Sequence, residues 1–307
     1  MDLKGKRVFV GLSGGVDSAV SAALLQQAGA RVTGVFIKGW YPPGMPCTWA
    51  ADRRDAMRVA ARLRIPFHTL DASAEYKQYV IDYLLAEYAA GRTPNPDVMC
   101  NKEVKFGAFY RYAMTSGADA IATGHYIKGE KDQRYFLWAV PKAVLEKTLF
   151  PVGMMDKSHV RALARKYRIP VAEKKDSQGV CFLGAVSVKE FLEQELGTAN
   201  PALLHTIGQR VGDEYVVAKD VVRGLLTLSS NRVAPTQRIP FTQANWFMDP
   251  ERAVSAQCRY RSARISGRIH GGVFIAEQVQ AETSAPGQSI VFYDKSDALV
   301  GGGIIAG

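Results

Sequence analysis

Arg7-Val8-Phe9-Val10-Gly11-Leu12, followed at once by Ser13-Gly14-Gly15-Val16-Asp17-Ser18, is the stretch that decides how this chain is read. The first six residues are a run of β-formers, and the two glycines after them let backbone amides crowd a ligand. Asp17 and Ser18 then open the apolar stretch 19–25, which reads as a helix. Strand, glycine turn and helix start, in that order, make a phosphate cradle. A tight βα turn that binds nothing is the plain alternative, but such a turn needs one glycine and gains nothing from Ser13, Asp17 and Ser18. The Walker pattern G-x-x-x-x-G-K-[ST] lacks its lysine here, which sets aside P-loop kinases and GTPases.

From this turn outward the chain alternates. The pattern predicts a strand at 7–12, a helix at 18–27, a strand at 31–37, a helix at 52–64 and a strand at 67–70, then helices at 74–90 and 105–115 and a strand at 118–123. Such βαβ alternation predicts a doubly wound parallel sheet with helices on both faces and ligands at the C-terminal strand ends. The glycine turn sits at one such end and Thr123-Gly124-His125-Tyr126 at another. A basic helix at 156–167, stopped by Pro170, and a short helix at 188–196 follow.

Past Gly208 the character changes. Segments 214–218, 225–228, 264–270, 273–276 and 289–293 are short and rich in Val, Ile and aromatics, which reads as an all-β part, a small barrel. The expected layout is an α/β catalytic domain at 1–199, a reduced central β segment at 200–245 and a C-terminal β-barrel at 246–307. Residues 301–306 fit G-x-G-x-x-A, but no helix and no acid about 20 residues on can follow within the sequence, so these glycines are expected to let a barrel strand bend.

With 307 residues the length prior is about two domains, and 47% apolar content supports real cores. Lys and Arg number 39 against 29 acidic residues, a net charge of +10, which favours an anionic partner larger than a nucleotide, such as RNA. A merely basic surface is the ordinary alternative. No apolar run reaches the ~18 residues of a membrane helix, and Asp17 interrupts the first apolar stretch, so no signal peptide is expected. The four cysteines, Cys47, Cys100, Cys181 and Cys258, are too scattered for a disulfide scaffold, and no C-x-x-C pair suggests a metal site. A reducing, cytoplasmic setting without membrane association is expected.

Two of these cysteines stand in chemical company. Cys100 ends the proline-stiffened run Gly91-Arg92-Thr93-Pro94-Asn95-Pro96-Asp97-Val98-Met99; if Asp97 caps a turn, the thiol lies among unused amides and near Lys102 and Lys105, which favours thiolate. A buried cysteine used as a small hydrophobe is the alternative, and the surrounding Asn, Asp, Lys and Glu argue against a dry core. Cys181 lies in Glu173-Lys174-Lys175-Asp176-Ser177-Gln178-Gly179-Val180-Cys181-Phe182-Leu183-Gly184. That run reads either as a mobile basic loop or as a buried strand at 180–183, and local pattern does not choose between them.

SGGVDS at 13–18 resembles the pyrophosphate loop of the N-type ATP pyrophosphatases, of adenine nucleotide α-hydrolase-like fold, which split ATP between the α and β phosphates to adenylate an oxygen. Together with GRTPNPDVMCNKEVKF (91–106), TGHY (123–126), KDQRYFL (131–137), LFPVG (149–153), KKDSQGVCFLG (174–184), TIGQR (206–210), APGQS (285–289) and GGGII (301–305), it resembles the tRNA-specific 2-thiouridylase family. The motifs run in consistent order from Arg7 to Ile305. The resemblance implies that ATP, with Mg²⁺, adenylates the 2-oxygen of the wobble uridine in the tRNA anticodon stem-loop. It further implies that Cys181 carries a persulfide charged by a sulfur-relay protein or cysteine desulfurase, and that Cys100 attacks it and closes a transient disulfide. Asp97 becomes a base-contacting or proton-transfer residue, with helix capping as its plainer role.

For ATP, the resemblance implicates Gly11, Leu12, Ser13, Gly14, Gly15, Val16, Asp17, Ser18, Ile37 and Gly124, with Ile37 standing where the family usually has an apolar methionine of similar volume. For tRNA it implicates Asn95, Pro96, Asp97, His125, Lys131, Asp132, Gln133, Arg259, Tyr260 and Gln288. Lys131 and Arg259 are expected on phosphate or sugar, and Tyr260 as a stacking or hydrogen-bonding side chain. The segments around 196–205 and 211–232 are shorter than the family's usual connections, which leaves the central part little more than a hairpin or three strands. A different ATP pyrophosphatase, which has no use for two cysteines in these settings, is one rival, and a non-catalytic nucleotide-sensing or RNA-binding protein that kept the fold is the other.

Overall fold

The computed structural model describes residues 2–42, 49–129, 131–175, 187–197, 200–230, 236–280 and 285–307. Five parallel strands, β1 (Arg7–Gly11), β2 (Arg31–Lys38), β3 (Phe67–Asp71), β4 (Ala120–Ala122) and β5 (Thr148–Leu149), form a sheet of order β3-β2-β1-β4-β5. In register, Val8 of β1 lies opposite Val32 on one side and Ala120 on the other. Val8, Phe9 and Val10 are all buried, as a strand covered on both faces requires. Val8, Val10 and Leu12 join one core with Val16, Ala19 and Val20 of helix α1 (Val16–Gln27), Val59 and Ala60 of helix α2 (Trp49–Leu63), and Val160 and Ala164 of the helix Lys157–Lys166. Phe9 points the other way, edge-on to His68 and Tyr112 with ring centroids 6.2 and 6.4 Å apart. The doubly wound α/β sheet is therefore present, with β5 a two-residue addition too short to read from pattern.

Helix boundaries differ from expectation where the backbone departs from α geometry. The stretch expected as one helix at 74–90 is α at Ser73–Tyr76, π at Lys77–Asp82 and α again at Tyr83–Ala89. The helix expected at 105–115 begins much earlier: a turn at Pro96–Met99 runs into a π segment at Cys100–Ala108 and then Phe109–Thr115. The helix Val188–Leu196 is bounded by a capping box of Ser187 with Glu190 and by Gly197 in the left-handed conformation.

Contacts divide the chain into two compact units, one of residues 1–79, 100–134 and 140–185, the other of 80–99, 135–139 and 186–307. The second unit holds two β structures. Strands β6 (Arg210–Val211), β7 (Glu214–Asp220) and β8 (Leu225–Ser229) make a small antiparallel sheet. A closed antiparallel barrel is built from β9 (Thr236–Trp246), β10 (Ser255–Gln257), β11 (Ile265–His270), β12 (Val273–Gln280), β13 (Ser289–Tyr293) and β14 (Leu299–Ile305), in the order β10-β11-β12-β9-β14-β13. Ile239, Phe241, Ala256, Phe274, Ile290, Phe292 and Ile305 fill its core. β9 crosses the expected boundary at 246 and belongs to the barrel. Its polar run, with only Ile239 and Phe241 buried and Pro240 between them, conceals the strand. Among the described residues no helix is long and apolar enough to cross a membrane.

The closing glycines serve close approach. A Cβ on Gly302 would stand 2.6 Å from Trp138 Cγ. Trp138 is buried, its Nε1 donates to Ser289 Oγ at 2.9 Å, and its carbonyl accepts from Asn245 Nδ2 at 2.7 Å. The indole and the backbone of Trp138 are thus each held by a hydrogen bond, so the ring cannot readily yield. Gly302→Ala is expected to lower unfolding stability by about 1–3 kcal/mol through overpacking, read as a lower urea midpoint with an unchanged m-value.

Candidate active site

The glycine turn is built as a serine-laced loop at the end of β1. Ser13 N–H donates to Ser18 Oγ at 3.2 Å, Gly15 N–H donates to Ser13 Oγ at 3.3 Å, and Ser18 Oγ donates to the Gly15 carbonyl at 3.2 Å. Gly14 has φ +78°, and a Cβ there would strike the backbone carbonyl of Asp52. Gly15 is the N-cap of α1 and brings no side chain to it, so the first-turn amides remain available to an anion. The helix starts at Val16 rather than 18 because Gly15, at φ −98° and ψ 168°, is the last extended residue. Gly11 ends β1 beside Ile37, whose Cδ1 lies 4.0 Å from the position of a Gly11 Cβ, and Leu12 N–H bonds the Val35 carbonyl at 2.8 Å.

Asp17 gathers the site's charge. Its carboxylate accepts from Lys157 Nζ at 2.7 and 2.8 Å and from the Tyr126 hydroxyl at 2.7 Å. The lysine absent from the loop is thereby supplied from the start of a helix 140 residues away, a residue that pattern reading missed because the pairing is purely tertiary. Gly124 lies against the Asp17–Ser18 backbone, where a Cβ would come within 2.7 Å of Ser18 N. A second cation, Lys174, donates to Asp52 and Asp55 at 2.8 Å each. It ties the end of the described segment 131–175 to the helix whose Asp52 carbonyl abuts Gly14.

His125 is buried, with Nδ1 2.9 Å from Thr123 Oγ1 and its ring 5.5 Å from Phe106 and 6.3 Å from Phe150. Burial, reinforced by Lys105, pulls its pKa down to about 3. A neutral, enclosed ring holds the loop after β4 in shape. Gln133 works on the same loop: its N–H donates to the Tyr126 carbonyl at 2.8 Å and its Oε1 accepts from Tyr126 N–H at 3.0 Å. Asp132 is engaged by Arg134 at 2.6 Å, and Lys131 beside it is partly exposed.

The run leading to Cys100 corrects two expectations. Asn95, not Asp97, supplies the side-chain cap: Asn95 Oδ1 accepts from Val98 N–H at 3.4 Å, with Pro96 in the first helical position. Asp97 sits in the first turn, where a carboxylate favours the helix dipole. Cys100 is buried at 5% exposure, although its sequence neighbours are polar. The helical period explains this, since Cys100, Val104 and Ala108 share a buried face while Lys102 and Glu103 pair at 3.0 Å away from it. Cys181 and Cys47 lie outside the described residues.

In the second unit Arg259 is exposed, and Tyr260 packs its ring 4.5 Å from Phe136 and 6.0 Å from Tyr135, with the Arg261 guanidinium 5.1 Å over it. Gln288 Nε2 donates to the carbonyls of Thr93 and Pro94 at 2.9 and 3.3 Å. Among the described residues no group of three or more His, Cys, Asp or Glu side chains could cage a metal ion.

The depressed pKa of His125 has a stability consequence. Between about 3 and its ordinary 6.5 the unfolded chain binds a proton that the folded protein refuses, so stability falls as pH drops through that window. His125→Asn is expected to flatten the dependence of the urea midpoint on pH between those values.

A family model described as the tRNA methyl transferase HUP domain matches residues 6–185, and one described as the aminomethyltransferase beta-barrel domain matches residues 236–305. The protein named tRNA-specific 2-thiouridylase MnmA from Marinomonas sp. is 40% identical over 98% of this chain and 91% of its own length. The protein of the same name from Stutzerimonas stutzeri is 38% identical over 97% of this chain and 94% of its own length. Among solved structures, the U34-tRNA thiolase NcsA from Methanococcus maripaludis aligns with a TM-score of 0.40 and 18% identity over 66% of this chain and 70% of that one, too distant to add to the assignment. Near-full-length identity to relatives of one name, over a chain whose sheet and barrel coincide with the two matched models, places this protein in the tRNA-specific 2-thiouridylase family.

Proposed function

We propose that this protein is a tRNA-uridine 2-sulfurtransferase that uses ATP to replace the 2-oxygen of the wobble uridine with sulfur. The observation that carries the reading is the serine-laced anion cradle at the C-terminal edge of β1, with Lys157 held on Asp17 beside it, in a chain of 2-thiouridylase ancestry. A uridine carbonyl oxygen is a very poor leaving group. Attack of that oxygen on the α-phosphorus breaks the bond to the β-phosphate bridge, releases pyrophosphate and leaves the oxygen as part of AMP.

The first-turn amides of α1 and the Lys157 ammonium favour the charge that grows on the departing pyrophosphate. Gly14 and Gly124 keep the backbone low where the triphosphate lies, and Ile37 offers an apolar wall to adenine. Asp17 would hold a magnesium ion brought with the triphosphate, and the ion would supply charge neutralisation there. Asn95, Pro96 and Asp97 hold the target base, and Lys131, Arg259 and Tyr260 meet the tRNA backbone and ring faces.

Sulfur arrives as a persulfide on Cys181, donated by a sulfur-relay protein or cysteine desulfurase. The Cys100 thiolate attacks the inner sulfur of that persulfide and releases hydrosulfide, which adds to C2 of the adenylated uridine and expels AMP. The two cysteine sulfurs are oxidised to a disulfide as the sulfane sulfur is reduced, and a thiol reductant resets the pair. The burial of Cys100 keeps the released hydrosulfide from water. The cytoplasm, with its ATP, tRNA and reduced thiols, is the setting.

Cys181→Ser separates the two half-reactions. With tRNA, ATP and Mg²⁺ the variant is expected to release pyrophosphate yet form no 2-thiouridine, measured by pyrophosphate assay and nucleoside mass spectrometry. Undiminished thiolation by the variant would contradict the assigned sulfur route.

A further inference from the structure

Residues 93–97, which the thiouridylase reading puts at the target base, are awkward to hold in place. Pro94 and Pro96 have no amide hydrogens, so this stretch cannot be secured by a strand ladder and must be held largely through its carbonyls. The structure answers this from the start of β13, within the same compact unit. Gln288 Nε2 carries two hydrogens and spends them on two successive carbonyls, Thr93 at 2.9 Å and Pro94 at 3.3 Å. Thr93 N–H completes the clasp by donating to the Pro286 carbonyl at 2.8 Å. Gly287, at φ +90°, lets the two backbones touch, since a Cβ there would stand 3.0 Å from Thr93 N and C.

A second tie runs through Tyr135, a fully packed residue at 2% exposure. Its hydroxyl donates to the Ser289 carbonyl at 3.0 Å and is hydrogen-bonded by the Asn95 side chain. Asn95 in turn caps the helix by accepting from Val98 N–H at 3.4 Å. The Asn95 side chain thus joins the Val98 amide to the Tyr135 hydroxyl, which is anchored on the Ser289 carbonyl.

We propose that Gln288 and Tyr135 are positioning residues that fix the loop Asn95–Asp97. The proposal deepens the 2-thiouridylase reading and rests on it. Both hydrogens of the Gln288 amide nitrogen are spent on this loop. Its effect belongs to the geometry of the base, not to the grip on the tRNA body.

Gln288→Met keeps the volume and removes the donor; Tyr135→Phe keeps the packed ring and removes only the hydroxyl, so it preserves folding if the first variant does not. Three measurements on the full chain test the idea: hydrogen exchange of amides 93–99 without tRNA, turnover to 2-thiouridine at saturating tRNA, and tRNA affinity as a function of salt. The expected result is exchange at 93–99 faster by about tenfold or more. Turnover is expected to drop about ten- to hundredfold, with tRNA affinity and its salt slope unchanged. Wild-type exchange rates in both variants would overturn the proposal, as would a loss confined to tRNA affinity with normal turnover at saturation. Faster exchange in the variants of a wild-type protein that makes no 2-thiouridine would instead uphold the clasp and remove the functional reading.

Discussion

The carboxylate of Asp17 is the point on which the catalytic unit is organised. It receives Lys157 through two contacts of 2.7 and 2.8 Å and Tyr126 through one of 2.7 Å, and so draws two distant pieces of chain to the start of α1. A partly exposed ion pair of this kind adds modest stability by itself. Its value is placement: a cation stands beside a helix N-terminus whose amides are uncapped, at the end of a parallel strand where this architecture binds ligands. Both the lysine and the first-turn amides favour an anion at this point.

A different economy governs the loop before Cys100. Two prolines stiffen it and at the same time strip it of donors, so its shape is imposed from outside by a side-chain amide, a tyrosine hydroxyl and a glycine that lets backbones meet. Residues 80–99 belong to the compact unit that contains the barrel, whereas residues 100–134 belong to that of the parallel sheet. Asn95–Asp97 and Cys100 are thus neighbours in sequence that belong to different compact units.

Local chemistry was legible in the sequence wherever it coincided with local structure. The strand and glycine turn at 7–18, the parallel alternation and the all-β C-terminal part all announce themselves by period and by glycine placement. What stayed hidden depends on contacts between distant residues. Lys157 and Tyr126 look like ordinary surface residues until the fold brings them to Asp17, and Tyr135 and Trp138 read only as aromatics in a motif. Cys100 misled in the opposite direction, because polar neighbours along the chain say nothing about which face of a helix is buried. Strand β9 was obscured by its own composition, and the π segments at 77–82 and 100–108 have no pattern that separates them from α-helix.

If ATP activates the 2-oxygen of the uridine, this oxygen must leave with the α-phosphate. Transfer RNA carrying ¹⁸O at C2 of the wobble uridine, incubated with the protein, ATP, Mg²⁺ and a persulfide donor, traces that atom directly. One ¹⁸O is expected in the phosphate of AMP for each 2-thiouridine formed, read by mass spectrometry. Label that appears in water while AMP remains unlabelled would contradict activation by ATP.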